Sequence, residues 1–280
     1  MRVLVTGAGG MLARALVREA TARGHEVVAL SRADLDVTDE RAARTAVLDA
    51  RPDAVVQCAA YTRVDDAETA ETAAFAVNAS AAGHVAEACR AAGARLVYPS
   101  TDYVFDGRAT TPYAPDAQTS PINAYGRSKL AGEEATLRAD ALIVRTSWLY
   151  GPGGRNFVST ILARARAGAP LRVVDDQHGA PTSTLSLAAM IMGLLEHDAP
   201  PGVWHATDRG RTTWYGFATA VLELAGIDAE IASCTTAEFP TPARRPAWSV
   251  LDCSRTYALV GDAPEWRDAL ATVLEAGVEG

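Results

Sequence analysis

The chain has 280 residues, enough for one large domain or two modest ones around a substantial core. Hydrophobic residues make up 49% and aromatic ones only 6%, which suits a compact α/β protein and excludes a disordered chain. A formal charge of −8 offers no basic field, so nucleic acid is not expected as a partner.

The opening "MRVLVTGAGG" is a strand running into a glycine turn. It has no charged segment followed by an apolar stretch and a cleavage site, and no apolar run of membrane length follows; a cytoplasmic protein with no membrane partner is expected. "RVLVTG" reads as a buried parallel strand and "MLARALVREATARG" as a helix ended by a glycine C-cap. "EVVALS" is the second strand. "TDERAARTAVLDARP" is a helix with Thr38 as its expected cap, and "DAVVQCAA" is the third strand. "ETAAFAVNASAAGHVAEACRAAG" is a long helix, "RLVYPST" the fourth strand, "YGRSKLAGEEATLRA" a helix and "ALIVRTSWLYG" a further strand. Helices are also predicted at 157–168 and 183–197. This alternation predicts an α/β fold with a doubly wound parallel sheet of Rossmann type. Past about residue 170 the rhythm loosens into proline-rich pieces such as "DAPPGVWHATDRG" and "FPTPARRPAWS". A cofactor-binding domain over 1–170 and a smaller substrate lobe over 171–280 are expected, with the chain free to cross between them. Cys58, Cys89, Cys234 and Cys253 are widely spaced and form no CxxC, as in reduced thiols. The histidines show no ligand spacing, and no metal site is predicted.

The turn "TGAGGML" follows a strand and opens a helix, which gives a glycine-rich motif its meaning. Gly7, Gly9 and Gly10 let the backbone approach a pyrophosphate, and the helix N-terminus offers free N–H groups. Strand two ends in Ser31 and Arg32, a hydroxyl and a guanidinium that suit a 2′-phosphate better than a bare ribose, so NADPH is the expected cofactor. Asp36 could accept from an adenine amino group or serve as a plain cap neighbour. After strand three, Ala59 and Ala60 are small enough for a cofactor to lie against the backbone. After strand four, Ser100, Thr101 and Asp102 face the same crevice.

In "SPINAYGRSKLAGE", Tyr125 and Lys129 are four residues apart and share a helix face. A phenol with an ordinary pKa near 10 is a poor acid at neutral pH, and a neighbouring ammonium stabilises its phenolate. Tyr125 can then give a proton to a ketone oxygen, with Thr101 bonding the same oxygen and Lys129 bonding the nicotinamide ribose. A lone YxxxK is weak; joined to the glycine turn and the hydroxyls at 100–101 it is strong.

These motifs resemble the extended short-chain dehydrogenase/reductase superfamily over essentially the whole chain. Within it, "STDYVFDG", "NAYGRSKLAGE", "RTSWLYG" and "DQHGAPTS" are similar to the dTDP-4-dehydrorhamnose reductases. The resemblance implies NADPH-dependent reduction of the C4 ketone of dTDP-4-dehydro-6-deoxy-L-mannose to dTDP-L-rhamnose, with NADH as the alternative cofactor. It implies Thr101, Tyr125 and Lys129 as catalytic residues, with Gly10, Met11 and Leu12 at the cofactor diphosphate. It further implies Asp36 and Val37 beside adenine, and Ala59, Ala60 and Tyr61 along the cofactor. Thr101, Asp102 and Trp148 would touch the deoxysugar, where Trp148 would supply a flat apolar wall; a tryptophan buried at a strand end is the plainer reading. Arg245 in "ARRPAWS" would meet the nucleotide diphosphate, or is a surface arginine beside a proline. Arg63 departs from the family pattern, where many relatives have a small residue. The family is associated with magnesium at a dimer contact, but no matching carboxylates stand out, so Mg²⁺ and a homodimer stay open.

Sugar-nucleotide 4,6-dehydratases follow the strand-four aspartate with a glutamate base, whereas Tyr103 stands here. C4 epimerases usually read the ribose of NAD with an acidic residue, unlike Ser31-Arg32. Two alternatives are carried forward: a 4-ketoreductase acting on another dTDP-deoxysugar, and a non-catalytic regulatory subunit of the methionine adenosyltransferase type. The intact triad speaks against the second.

Overall fold

The computed structural model describes residues 1–277. The chain begins β1 (Arg2–Thr6), α1 (Met11–Ala22), β2 (Glu26–Leu30), α2 (Glu40–Ala50) and β3 (Ala54–Gln57). It continues through α3 (Glu71–Phe75), α4 (Ala81–Ala92), β4 (Arg95–Thr101), α5 (Ala124–Leu137) and β5 (Leu142–Thr146). The later elements are β6 (Leu149–Tyr150), α6 (Phe157–Arg166), β7 (Leu171–Val174), β8 (His178–Gly179), β9 (Thr182–Ser183) and α7 (Thr184–Glu196). They end with β10 (Gly202–His205), β11 (Thr212–Thr213), α8 (Trp214–Ala225), β12 (Ile231–Cys234), α9 (Ser254–Val260) and α10 (Trp266–Glu275).

Six strands form a sheet in the order β10-β5-β4-β3-β1-β2, and every pairing in it is parallel. Successive strand residues face opposite sides. Val3, Val5, Val56, Val97 and Val144 pack on α1 and α7, while Leu4, Val55, Leu96 and Ile143 pack on α2 and α4. Both faces are therefore covered, which is why these strands read as unbroken apolar runs. Burying a side chain such as Leu16 or Ile191, each 0% exposed, stabilises the fold by about 1.5–3 kcal/mol.

Past residue 170 the chain crosses back to the first sheet: β10 pairs with β5, and α7 packs against α1. Other features differ from the sequence reading and bear on the site. Helix α2 is capped by Asp39, not Thr38; the Asp39 carboxylate accepts from the Ala42 N–H at 2.9 Å, and Thr38 instead bonds Asp36. The long helix expected over 71–93 is α3 and α4 joined by a π-helical turn, Ala76–Ser80. Its widened turn aims Asn78 inward, where the amide exchanges hydrogen bonds with the Tyr61 backbone and donates to Ser128 at 2.9 Å.

The second lobe holds a core around Tyr150, Phe217, Val221 and Leu270. Two-stranded pieces β6–β9, β7–β12 and β8–β11 stitch it together. The predicted strand over 141–151 is broken in two, because Trp148 adopts φ +47° between β5 and β6. A non-glycine residue held in that region costs about 1–3 kcal/mol and needs surroundings that enforce it.

Candidate active site

A cleft of about 790 Å³ runs along the C-terminal ends of the sheet strands. At one end, Gly7 takes φ +66°, and a Cβ there would lie 2.7 Å from the Ala59 nitrogen, so only glycine fits. The Gly10 N–H donates to the Gly7 carbonyl at 2.9 Å and closes the turn. Gly10 is the N-cap of α1 and has no side-chain cap, leaving first-turn N–H groups for a ligand; Gly9 has open space around it. Gly7, Gly9, Gly10, Met11 and Leu12 all line the cleft, a cradle that fits the diphosphate of a dinucleotide.

Ser31, Arg32, Asp36 and Val37 line the same end, as do Ala59, Ala60 and Tyr61. The Ser31 hydroxyl donates to Asp34 at 2.6 Å and the Ser31 N–H donates to it at 2.9 Å, which holds the Asp34 carboxyl below its usual range. Asp34 is thus spent on its own turn. Arg32 is 90% exposed at the side chain, 3.9 Å from Asp36, and available to a phosphate. Asp36 accepts from both the N–H and the hydroxyl of Thr38, the local role that its cap reading anticipates.

At the centre, β4 ends in Thr101 and α5 carries Tyr125 and Lys129. Helix α5 starts where it does because Asn123 caps it, accepting from the Gly126 N–H at 2.7 Å, while Glu68 accepts from the Ala124 N–H at 2.8 Å. Two glycines let it settle close to the sheet: a Cβ on Gly126 would collide with the Tyr103 carbonyl, and one on Gly132 with Asn78 and Tyr98. The Thr101 hydroxyl donates to the Asp102 carboxylate at 2.9 Å and accepts from the Tyr103 N–H at 3.2 Å, and it shares the cleft with the Tyr125 side chain. Asp102 is 2% exposed and its Oδ2 has no partner; burial pushes its carboxyl up to about 7.

The electrostatics differ from the sequence reading, in which Lys129 lowers the Tyr125 pKa. Burial first, then the Asp102 charge, pushes the Tyr125 phenol above its ordinary value, and the polar Thr101 hydroxyl works against them. Lys129 donates to the Pro99 carbonyl at 2.7 Å and lies 3.8 Å over the Tyr98 ring. Burial lowers its ammonium to about 7, opposed by Glu133 one turn further along α5. Glu133 is itself locked to Arg145 of β5 at 2.6 Å and accepts from the Ser100 hydroxyl, so the residue next to Thr101 is anchored to α5 by a hydrogen bond to a carboxylate held in a buried ion pair.

Trp148 and Asp102 line the far end of the cleft, facing the second lobe. Arg245 does not line it. Its guanidinium pairs with Asp65 at 3.0 Å and donates to the Ala243 carbonyl at 2.9 Å, because the same carboxylate also accepts from the Ala243 N–H and ties this segment to the loop after β3. Arg63 lies against the Tyr61 ring and pairs with Asp66. Cleft residues that the sequence reading missed include Gly153, Gly154, Thr146 and Trp214. The Thr146 hydroxyl is buried without a partner beside Thr101 in the sheet register. The four cysteines are free, and burial pushes the Cys58 thiol, also in the cleft, up to about 12, which makes it a poor nucleophile. Among the described residues no group of three or more His, Cys, Asp or Glu could hold a metal ion, and no helix is long and apolar enough to cross a membrane.

The chain is similar to known proteins. The family model described as the RmlD substrate binding domain matches residues 1–278. A probable dTDP-4,6-dihydroxy-2-methyloxan-3-one 4-ketoreductase of Streptomyces antibioticus is 48% identical over 276 residues, covering 96% of this chain and 93% of its own. A dTDP-4-dehydrorhamnose reductase of Streptomyces griseus is 47% identical over 279 residues, covering 96% and 91%. The crystal structure of a Bacillus anthracis dTDP-4-dehydrorhamnose reductase in complex with NADP superposes with a TM-score of 0.94 at 35% identity, covering 98% of this chain and 99% of that one. With the family model spanning nearly the whole chain and relatives this similar, the chain belongs to the dTDP-4-dehydrorhamnose reductase (RmlD) family.

Proposed function

We propose that this protein reduces the C4 ketone of dTDP-4-dehydro-L-rhamnose to dTDP-L-rhamnose with NADPH. The observation that carries the reading is the convergence of Thr101, Tyr125 and Lys129 with the Gly7–Gly10 cradle on one cleft. NADPH, when bound, supplies the hydride. Tyr125 gives the proton to the ketone oxygen, and the raised phenol keeps that proton in place until negative charge develops there. Thr101 donates to the same oxygen, exchanging its bond to Asp102 for one to substrate. Lys129, held by the Pro99 carbonyl, presents a cation that favours the tyrosinate left after proton transfer and bonds the nicotinamide ribose. Arg32 takes the 2′-phosphate. Asp102 and Trp148 orient the deoxysugar.

A second reading has specific support. The Streptomyces antibioticus relative is as similar as the rhamnose-forming one, and its name assigns it a 4-ketoreductase activity on another dTDP-linked sugar. The same residues would serve either ketone. Steady-state oxidation of NADPH by the purified protein, with a panel of dTDP-4-ketosugars in parallel, tests both. The highest kcat/KM on dTDP-4-dehydrorhamnose supports the first reading, and a higher value on a different sugar supports the second. Binding without turnover of any ketosugar would favour the regulatory-subunit alternative.

A further inference from the structure

Trp148 follows β5 of the first sheet and Trp214 opens a helix of the second lobe, yet their indoles stack with centroids 3.7 Å apart and planes 9° from parallel. Both line the cleft. The segment "DQHGAPTS" builds this pair. In the β8–β11 ribbon, Gly179 pairs with Thr212 and His178 with Thr213, which places Gly179 and the start of α8 in one rigid unit. Gly179 lies directly against the Trp148 ring, and a Cβ on it would collide with that indole. The Trp148 carbonyl accepts from the Thr182 N–H at 3.3 Å, and the Ser147 hydroxyl donates to the Ala180 carbonyl at 2.6 Å. These contacts hold Trp148 in its left-handed conformation. Behind Trp214 lies Phe157, 4.6 Å away between centroids, so the second indole has little room to retreat.

We propose that Trp214 determines sugar specificity by fixing Trp148 flat, so that the Trp148 indole, backed from the second lobe, presents one apolar wall to the cleft. This deepens the reading of the substrate as a dTDP-deoxysugar and rests on it. Such a wall takes the C–H face of a deoxysugar ring, where no hydroxyl loses its water. A hydroxyl turned against it would be desolvated without a partner. Trp214 acts through Trp148 and is a positioning residue, whereas Trp148 carries the contact.

The test uses the full chain, with turnover of dTDP-4-dehydrorhamnose and calorimetric binding of dTDP-L-rhamnose as separate readouts. Stacked indoles give an exciton couplet in far-ultraviolet circular dichroism, expected in the wild type and lost in Trp214→Ala. In that variant KM for the ketosugar and Kd for dTDP-L-rhamnose should rise about 3–10-fold, with kcat less affected and NADPH affinity unchanged. Trp214→Phe, which keeps an aromatic backing, should restore most of the sugar affinity. Should Trp214→Ala not fold, Gly179→Ala leaves Trp214 in place and displaces only the Trp148 ring, with the same expected losses. Sugar affinity unchanged while the couplet disappears, or no couplet in the wild type, overturns the proposal. A wild type that neither turns over nor binds these dTDP-sugars overturns the underlying substrate reading instead.

Discussion

The Thr101 hydroxyl donates to the Asp102 carboxylate at 2.9 Å, on the same cleft that the Tyr125 side chain lines. A side chain at the end of β4 is therefore bonded to a buried carboxyl in the cleft that also holds the group proposed to deliver the proton. Replacing Tyr125 with Phe keeps the ring and its edge contact with Tyr103 but removes the proton. Turnover should fall by about 10²–10⁴-fold while NADPH affinity stays within a factor of about two. Single-turnover oxidation and equilibrium titration of NADPH, done side by side, check this.

Activity should also decline on the alkaline side of neutrality. Burial lowers the Lys129 ammonium to about 7, so the cation is present below that pH and lost above it. The kcat/KM profile is expected to fall as pH rises through about 7. Asp102, raised to about 7 as well, titrates in the same range, and Asp102→Asn separates the two. If Lys129 is responsible, the falling limb persists in that variant at lower absolute rates.

Cofactor choice should depend on Arg32, whose guanidinium is exposed at the cleft while Asp34 is bound to Ser31. Arg32→Ala should weaken NADPH by about tenfold and leave NADH nearly unchanged, since only the phosphorylated ribose offers the guanidinium a charged partner. Parallel KM measurements with the two cofactors give the ratio directly.

Gly126 tests how closely α5 must approach the sheet. A methyl group there would run into the Tyr103 carbonyl, which is backbone and cannot swing aside. Gly126→Ala should lower stability by about 1–3 kcal/mol in denaturant titrations and reduce kcat, because Tyr125 is the adjacent residue.

A buried carboxyl in the second half of the chain sets a pH dependence of stability. Asp208 is 1% exposed, accepts from the Ser183 N–H at 2.8 Å, and is raised by burial to about 7 from an ordinary value of 3.8. Between those values the folded chain holds a proton that the unfolded chain has released, so this group's contribution falls as pH rises from about 4 to about 7. Asp208→Asn removes that decline. The stability difference between wild type and variant should shift in favour of the variant across this window, which denaturation at pH 5 and pH 8 checks.

Much of the site was legible in the chain because its signals are local. The glycine turn, the strand-end hydroxyls and the Tyr125–Lys129 spacing each sit within one strand–helix junction, and all line the cleft. What escaped depends on distant partners. Arg245 reads as a free cation beside a proline until Asp65, far away in sequence, claims it. Trp214 reads as an ordinary helix start, because its partner Trp148 is brought to it only by the β8–β11 ribbon. The Tyr125 phenol departs from the expectation set by helical spacing for a related reason. Helical spacing gives the neighbour on the same face, but the burial that outweighs its charge is a property of the packed whole.

The return of α7 and β10 to the first sheet has a consequence for how this protein can be divided. A fragment ending at residue 170 would expose the open edge of β5 and strip α1 of the helix that covers it. The sheet beneath the cofactor cradle is thus completed by chain that lies beyond residue 170, and the two halves share one core.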